Sequence, residues 1–254
     1  MRRDVLHKKI RSKVFSLQIF LKRFIKAKPK TKYKNLNDFG GLLSTKDKVS
    51  VVCSGPSAKK LKVDEDALYL VTNDSYKLVS HQDFIYYVND GYFFRKFLAN
   101  APFCKNHYYN VFFYRKEDQL HKNSFQYFKK NSPLIENENF LISNLKNDFK
   151  YSEFNYHTFL DFLSEHNIPI KFQNSGIFLL LFGFYLAETY HKKLEIYGLD
   201  LGVGGHTHFD KKGHVGKSIT RDRVKVNTQQ QLNLIYKILG HNVKNYSFFN
   251  SNIE

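Results

Sequence analysis

Apolar and polar positions change their period several times along the chain. Leu6, Ile10, Val14, Leu17, Leu21 and Phe24 recur at steps of three and four, the spacing of one helical face. Lys28-Pro29-Lys30-Thr31-Lys32 follows as a polar linker, then a short apolar run from Leu36 to Leu43. Short apolar runs bounded by Ser, Gly, Asn and Asp predict strands at Lys48–Cys53, Leu68–Thr72, Phe84–Val88, Val111–Tyr114 and Leu194–Gly198. Residues 117–170 are polar, aromatic and rich in Asn and Lys, and read as shorter helices and loops. Ile177–His191 reads as a buried helix and Thr228–Leu239 as an amphipathic one, before a last strand near Val243–Phe249. No internal repeat is visible. Short apolar strands alternating with helices predict an α/β fold: a Rossmann-like, mostly parallel sheet with helices on both faces.

The chain has 254 residues, and its 42% hydrophobic and 17% aromatic content exclude a disordered chain. Cys53 and Cys104 are too few for a disulfide framework or a structural zinc cluster. A reducing compartment is the simpler reading. The net charge of +17 is unevenly spread. Residues 1–34 carry thirteen Lys/Arg and one acid, Asp4, a net of +12, which leaves +5 for the rest. The chain therefore divides into a basic amphipathic arm (1–34) and a mildly basic globular domain (35–254). Such an arm suits an anionic membrane surface. Docking on its own domain or on a twin subunit is the alternative, and nucleic acid a third, without any nucleic-acid motif to support it. The arm lacks the uninterrupted apolar core and cleavage site of a signal peptide. The one long apolar run, GIFLLLFGFYLA at 176–187, is too short to cross a bilayer. The expected location is cytoplasmic, peripheral at the inner membrane face.

Ligands of open parallel sheets bind outside the carboxyl ends of the strands. Small polar residues stand at those ends here: Ser54-Gly55-Pro56-Ser57, Asn73-Asp74, Asn89-Asp90 and Asp200. A turn at Gly55 opening toward a helix can aim backbone N–H groups at a phosphate, and Asn73 and Asn89 can each donate and accept, as a ribose or a pyrimidine edge requires. Each is also an ordinary turn or cap residue. Neither GxGxxG nor GxxxxGK[ST] occurs. Ser175-Gly176 opens the buried helix, whose free N–H groups can hold an anion. The stretch GLDLGVGGHTHFDKKGHVGKS (198–218) supplies glycines, including Gly202, and His206, His208 and His214 as candidate general bases. A solvated loop is the plain alternative. A metal held by His206, His208 and Asp210 is a rival reading, but no further ligand stands at good spacing.

In order, strand-SGPS, strand-TND, strand-VND, NSG with a buried helix, then YGLD and a His-bearing loop resemble the bacterial sialyltransferases of glycosyltransferase family 42. The wider clan includes pterin diphosphokinase-like and flagellin-modifying glycosyltransferase domains. The resemblance runs from about residue 48 to 250 as scattered motifs. It implies a GT-A-like single nucleotide-binding domain that takes a CMP-activated sugar without a metal. Gly55, Pro56 and Ser57 match the family's first nucleotide loop, with Ser54 in place of its asparagine. Asn73, Asn89, Ser175, Gly176 and Asp200 match further positions. The sequence departs from the family at Gly202 and around Thr207/His208, where the family has tyrosines, and at Phe172, where it has arginine. Gly213-His214-Val215 resembles its Gly-His-Ser segment. GLD…HTH…G and VKVNTQQQL lie closer to the flagellin-modifying and pterin-kinase-like branch.

The resemblance implies an inverting, metal-independent transferase of an acidic sugar, sialic acid or a relative. The sugar passes from its CMP donor to a surface-glycan acceptor, as in lipopolysaccharide or capsule biosynthesis. His214, His208 or His206 would be the base. No separate cofactor is expected; the partners are the nucleotide-sugar donor, a glycan or glycolipid acceptor, the membrane through residues 1–34, and a second copy in a homo-oligomer. The alternatives are an ATP/Mg-dependent diphosphokinase, with Asp74, Asp90 or Asp200 on the metal, and a non-enzymatic basic membrane-binding module.

Overall fold

The computed structural model describes residues 3–25, 32–34, 39–87, 91–100, 108–114, 138–143, 156–168, 175–199, 233 and 243–245. Helix α1 (Arg3–Ile25) leads into strand β1 (Lys32–Lys34), helix α2 (Phe39–Leu43) and strand β2 (Lys48–Val52). A 3-10 turn (Pro56–Lys60), β3 (Ala67–Thr72), a second 3-10 turn (Ser75–Leu78), β4 (Phe84–Tyr87) and α3 (Gly91–Asn100) follow. Then come β5 (Tyr108–Tyr114), β6 (Glu138–Ser143), α4 (Tyr156–Glu165), α5 (Ser175–Thr189), β7 (Lys193–Tyr197) and β8 (Val243–Asn245).

The strands form one sheet in the order β1-β6-β5-β4-β3-β2-β7-β8, and every pair in it is parallel. Its centre, β4-β3-β2-β7, has Rossmann-like topology: from β2 the chain winds outward through β3 and β4, then returns to β7 on the other side. Val49, Val51, Leu68, Leu70, Ile85, Leu194 and Ile196 form one apolar face of these strands. It packs on α5 and on Phe159 and Leu163 of α4. Ser175 to Ala187 of α5 are all buried, as expected of a helix apolar on every side. Gly183 lets α5 lie close to the sheet, since a β-carbon there would stand 2.5 Å from Val51 Cγ2. The opposite face carries Phe84 and Tyr86, which meet Phe97 of α3 and Tyr76 of the second 3-10 turn. Tyr86 and Phe97 stack at 3.8 Å between ring centroids.

The six predicted strands appear as β2, β3, β4, β5, β7 and β8, and the buried helix as α5. Two strands depart from the sequence reading. β6 falls in the stretch read as helices and loops, because ENFLIS holds only three apolar residues in a row and borrows its order from β5. β1 falls in the polar stretch that ends the arm, where KYK has no strand pattern and is ordered by pairing with β6. The helix read at Thr228–Leu239 lies outside the described residues apart from the helical Asn233.

Candidate functional site

The carboxyl ends of β2 and β7 flank the point where the winding direction reverses, and a hydrogen-bonded seam closes it. The Cys53 N–H donates to Tyr197 O at 2.8 Å, and the Gly55 N–H to Gly198 O at 2.8 Å. The Gly198 N–H in turn donates to Ser57 Oγ at 3.0 Å. Gly198 adopts φ +68°, and a β-carbon there would stand 2.3 Å from Cys53 O. Only glycine fits a left-handed residue pressed against a carbonyl in this way.

The Ser54–Ser57 turn therefore differs from the sequence expectation in its donors. The Gly55 N–H is committed to Gly198, and Gly55 itself has an ordinary extended conformation, φ −69° and ψ 166°. Pro56 has no N–H to offer, and a five-residue 3-10 turn rather than an α-helix follows it. Ser54 is buried and donates to Thr72 O at 3.4 Å, which ties this turn to the end of β3.

Beyond β3, Asn73 takes φ +54° and reverses the chain; asparagine tolerates that conformation better than most residues. Its carbonyl accepts from Tyr86 Oη at 3.2 Å. Ser75, fully buried, is the hub beneath it. Its Oγ accepts the Thr72 N–H at 3.0 Å and faces the carbonyls of Thr72 at 2.8 Å and Val52 at 2.5 Å. Sequence reasoning passed over Ser75, because a serine after Asn-Asp looks like any turn residue. Asp74 is buried, with Oδ2 paired to Lys96 of α3 and Lys77 Nζ 3.8 Å from Oδ1. Two buried polar atoms flank Asn73 without a hydrogen-bond partner among the described residues: Thr72 Oγ1 and Asp74 Oδ1. Buried polar atoms in native proteins are nearly always hydrogen-bonded, so these two, at the edge where open parallel sheets hold ligands, are candidates for a ligand's hydrogen bonds.

Helix α5 points its first turn at the same edge. Phe178 stacks on Tyr87, the last residue of β4, at 3.9 Å, while Gly183, further along the helix, meets Val51 in mid-strand. The helix thus runs antiparallel to the strands. Ser175 lies eight residues before Gly183, about 12 Å toward the carboxyl edge at 1.5 Å per residue. Ser175 and Gly176 are both buried there. The structure therefore brings Ser54, Gly55, Pro56, Ser57, Asn73, Ser175 and Gly176 to one edge. Asn89, Asp200, Gly202, His206, His208 and His214 lie outside the described residues.

A second polar cluster lies beneath the central strands, on the face away from α5. Glu195 is buried opposite Ser50 and accepts from Tyr197 Oη at 2.9 Å and Ser50 Oγ at 3.4 Å. Lys48 Nζ stands 3.5 Å from Glu195 and 2.6 Å from Asp64. Burial pulls the Lys48 ammonium down, but the hydrogen bond to Asp64 and the attraction of Glu195 and Asp64 outweigh it and hold it above the ordinary lysine value. The Lys48 hydrogen bond and the Asp66 N–H hold Asp64 below the usual carboxylate range. Burial pushes the Tyr69 phenol up. This network ties the amino ends of β2 and β3 to β7. Asp64-Glu65-Asp66 is thereby a structural turn, with the Asp66 N–H bonded to Asp64 Oδ1 at 2.9 Å.

Fold and edge together define a class: a Rossmann-like α/β protein whose parallel sheet reverses its winding direction between β2 and β7. No protein-family model, curated protein or solved structure matches the chain.

Proposed function

We propose that the carboxyl edge of the sheet binds a nucleotide-activated sugar and that the protein is an inverting glycosyltransferase with a CMP-linked acidic sugar as donor. The observation that carries a ligand at this edge is the pair of buried atoms around Asn73, Thr72 Oγ1 and Asp74 Oδ1, that make no hydrogen bond among the described residues. Support for the nucleotide comes from the motif order. SGPS follows β2, the TND segment ends β3, and Ser-Gly opens α5, all on one edge. The first-turn N–H groups of α5 suit the donor phosphate, and the charge that grows on it as CMP leaves. His214, or its neighbours His208 and His206, would take the proton from the acceptor hydroxyl as that oxygen attacks the anomeric carbon.

One feature favours a second chemistry. Asp74, a buried carboxylate at a strand end with one oxygen that accepts no hydrogen bond among the described residues, is also what a magnesium-dependent diphosphokinase would place beside ATP. Its pairing with Lys96 weighs against that, since the lysine already neutralises it.

Thermal unfolding with CMP, CDP, UDP, ATP or GTP, each with and without Mg²⁺, separates the readings. Under the transferase reading CMP or CDP stabilises without metal, by about 2.7 kcal/mol at a hundred times its dissociation constant. A shift with ATP and Mg²⁺ alone refutes the transferase in favour of the diphosphokinase. No shift with any nucleotide refutes both and leaves a non-enzymatic module.

A further inference from the structure

The N-terminal helix presents two faces, and the sequence foresaw only one of them. The face that holds it to the domain is narrow: Phe15 meets Tyr92 of α3 at 5.9 Å between ring centroids, Lys8 Nζ lies 5.1 Å from the Tyr92 centroid, and Ile19 is buried. Helix α3 is itself locked to the sheet by Phe97 on Tyr86, so α1 is braced against the core rather than tethered to it. The wider apolar face points away from the domain. Leu6, Ile10, Val14, Leu17 and Leu21 lie on it, each between 47% and 57% exposed. At 100° per residue they occupy an arc of about 80°. Lys9 and Lys13, both exposed, lie along one side of it, and the exposed Arg11 lies on the other.

We infer that this outward stripe docks into the interface of an anionic lipid bilayer, with α1 lying in the membrane plane and α3 holding the domain against it. The charge selects the occupant. Residues 1–34 carry a net +12, so a second copy would set that charge against its own like, whereas an anionic surface neutralises it. Nucleic acid would answer the charge but leave five aliphatic side chains in water. Among the described residues no helix is long and apolar enough to cross a membrane, and a half-exposed apolar stripe with basic flanks is the form of a helix that lies on one. The inference does not depend on the donor chemistry of the carboxyl edge.

The test is co-sedimentation of the full chain with phosphatidylcholine vesicles, with and without phosphatidylglycerol. The expected result is binding to the anionic vesicles and little to the neutral ones, weakened by added salt. Ile10→Glu/Leu17→Glu should lower binding roughly ten- to a hundredfold without changing the thermal midpoint, because both side chains face outward. Lys9→Gln/Lys13→Gln, which leaves the stripe intact, should reduce the preference for anionic over neutral vesicles. Undiminished binding by the first variant overturns the stripe as the contact, and an unchanged preference in the second overturns the charge selection. Binding to neither vesicle overturns the inference outright. In that case, dimers in sedimentation equilibrium that Ile10→Glu/Leu17→Glu abolishes would assign the stripe to a second copy, and DNA or RNA binding would assign the arm to nucleic acid.

Discussion

Gly198→Ala tests the seam that joins the carboxyl ends of β2 and β7. Alanine at φ +68° pays the left-handed penalty of about 1–2 kcal/mol. Its β-carbon would stand 2.3 Å from Cys53 O and 2.9 Å from Ala58 Cβ. The first neighbour is backbone and cannot rotate away, so β7 and the Ser54–Ser57 turn have to separate. That motion strains the bonds from Cys53 N to Tyr197 O and from Gly55 N to Gly198 O. Each is worth about 1 kcal/mol. The total is about 3 to 4 kcal/mol, or roughly 6 to 16 °C in the unfolding midpoint for a chain of this size. Circular dichroism at 222 nm during heating and in urea reads the loss. Gly41→Ala is the control, since it sits in α2 with nothing within 4 Å of the added carbon. Alanine is the better helix former there, by at most about 1 kcal/mol, so this variant should match or exceed the parent. A loss below about 1 kcal/mol for Gly198→Ala, or an equal loss for Gly41→Ala, would refute the reasoning.

Two further predictions concern the sheet's two faces. Gly183→Ala gains about 1 kcal/mol of helix propensity but forces a carbon to 2.5 Å from Val51 Cγ2, and overpacking of that kind costs about 1–3 kcal/mol. Urea denaturation should show a net loss, turning neutral or favourable in a Val51→Ala background where the obstructing methyl is gone; a loss of equal size in both backgrounds would contradict the packing account. On the opposite face, Lys48 titrates above its ordinary 10.5 and Asp64 below its ordinary 3.8. Their contribution to stability is thus complete between those values, lost as pH rises through the folded-state value of Lys48, and lost as pH falls through that of Asp64. The urea-midpoint gap between wild type and Lys48→Met should stay constant from about pH 5 to 9 and close only as pH falls below about 3.8 or rises above about 10.5; a gap that persists above the lysine's range would show that its ammonium is not what stabilises the fold.

The sequence by itself determined the central architecture, because burial leaves a local signature. KVSVV, ALYLVT, FIYY and KLEIY are apolar runs of strand length bounded by turn residues. The α5 segment is apolar at almost every position, as only a helix enclosed on all sides can be. The small polar residues at the strand ends were equally legible, since a parallel strand must end in a turn at the edge where ligands bind. Tertiary structure decided the rest. Whether Gly55 aims its N–H at a ligand or at Gly198 depends on a partner more than 140 residues away, and so does the Ser57–Gly198 bond. The roles of Ser75 and Asp74 come from Val52 and Lys96 on neighbouring elements. The strand character of KYK and ENFLIS comes from pairing with neighbouring strands, not from their own pattern. The arm shows the division most clearly. Periodicity identified an apolar face on α1, but only the packing of Phe15 and Lys8 against α3, with the burial of Ile19, turned that face outward. A helix carries its own pattern in its sequence, whereas the choice of which face to bury is made by the neighbour it meets.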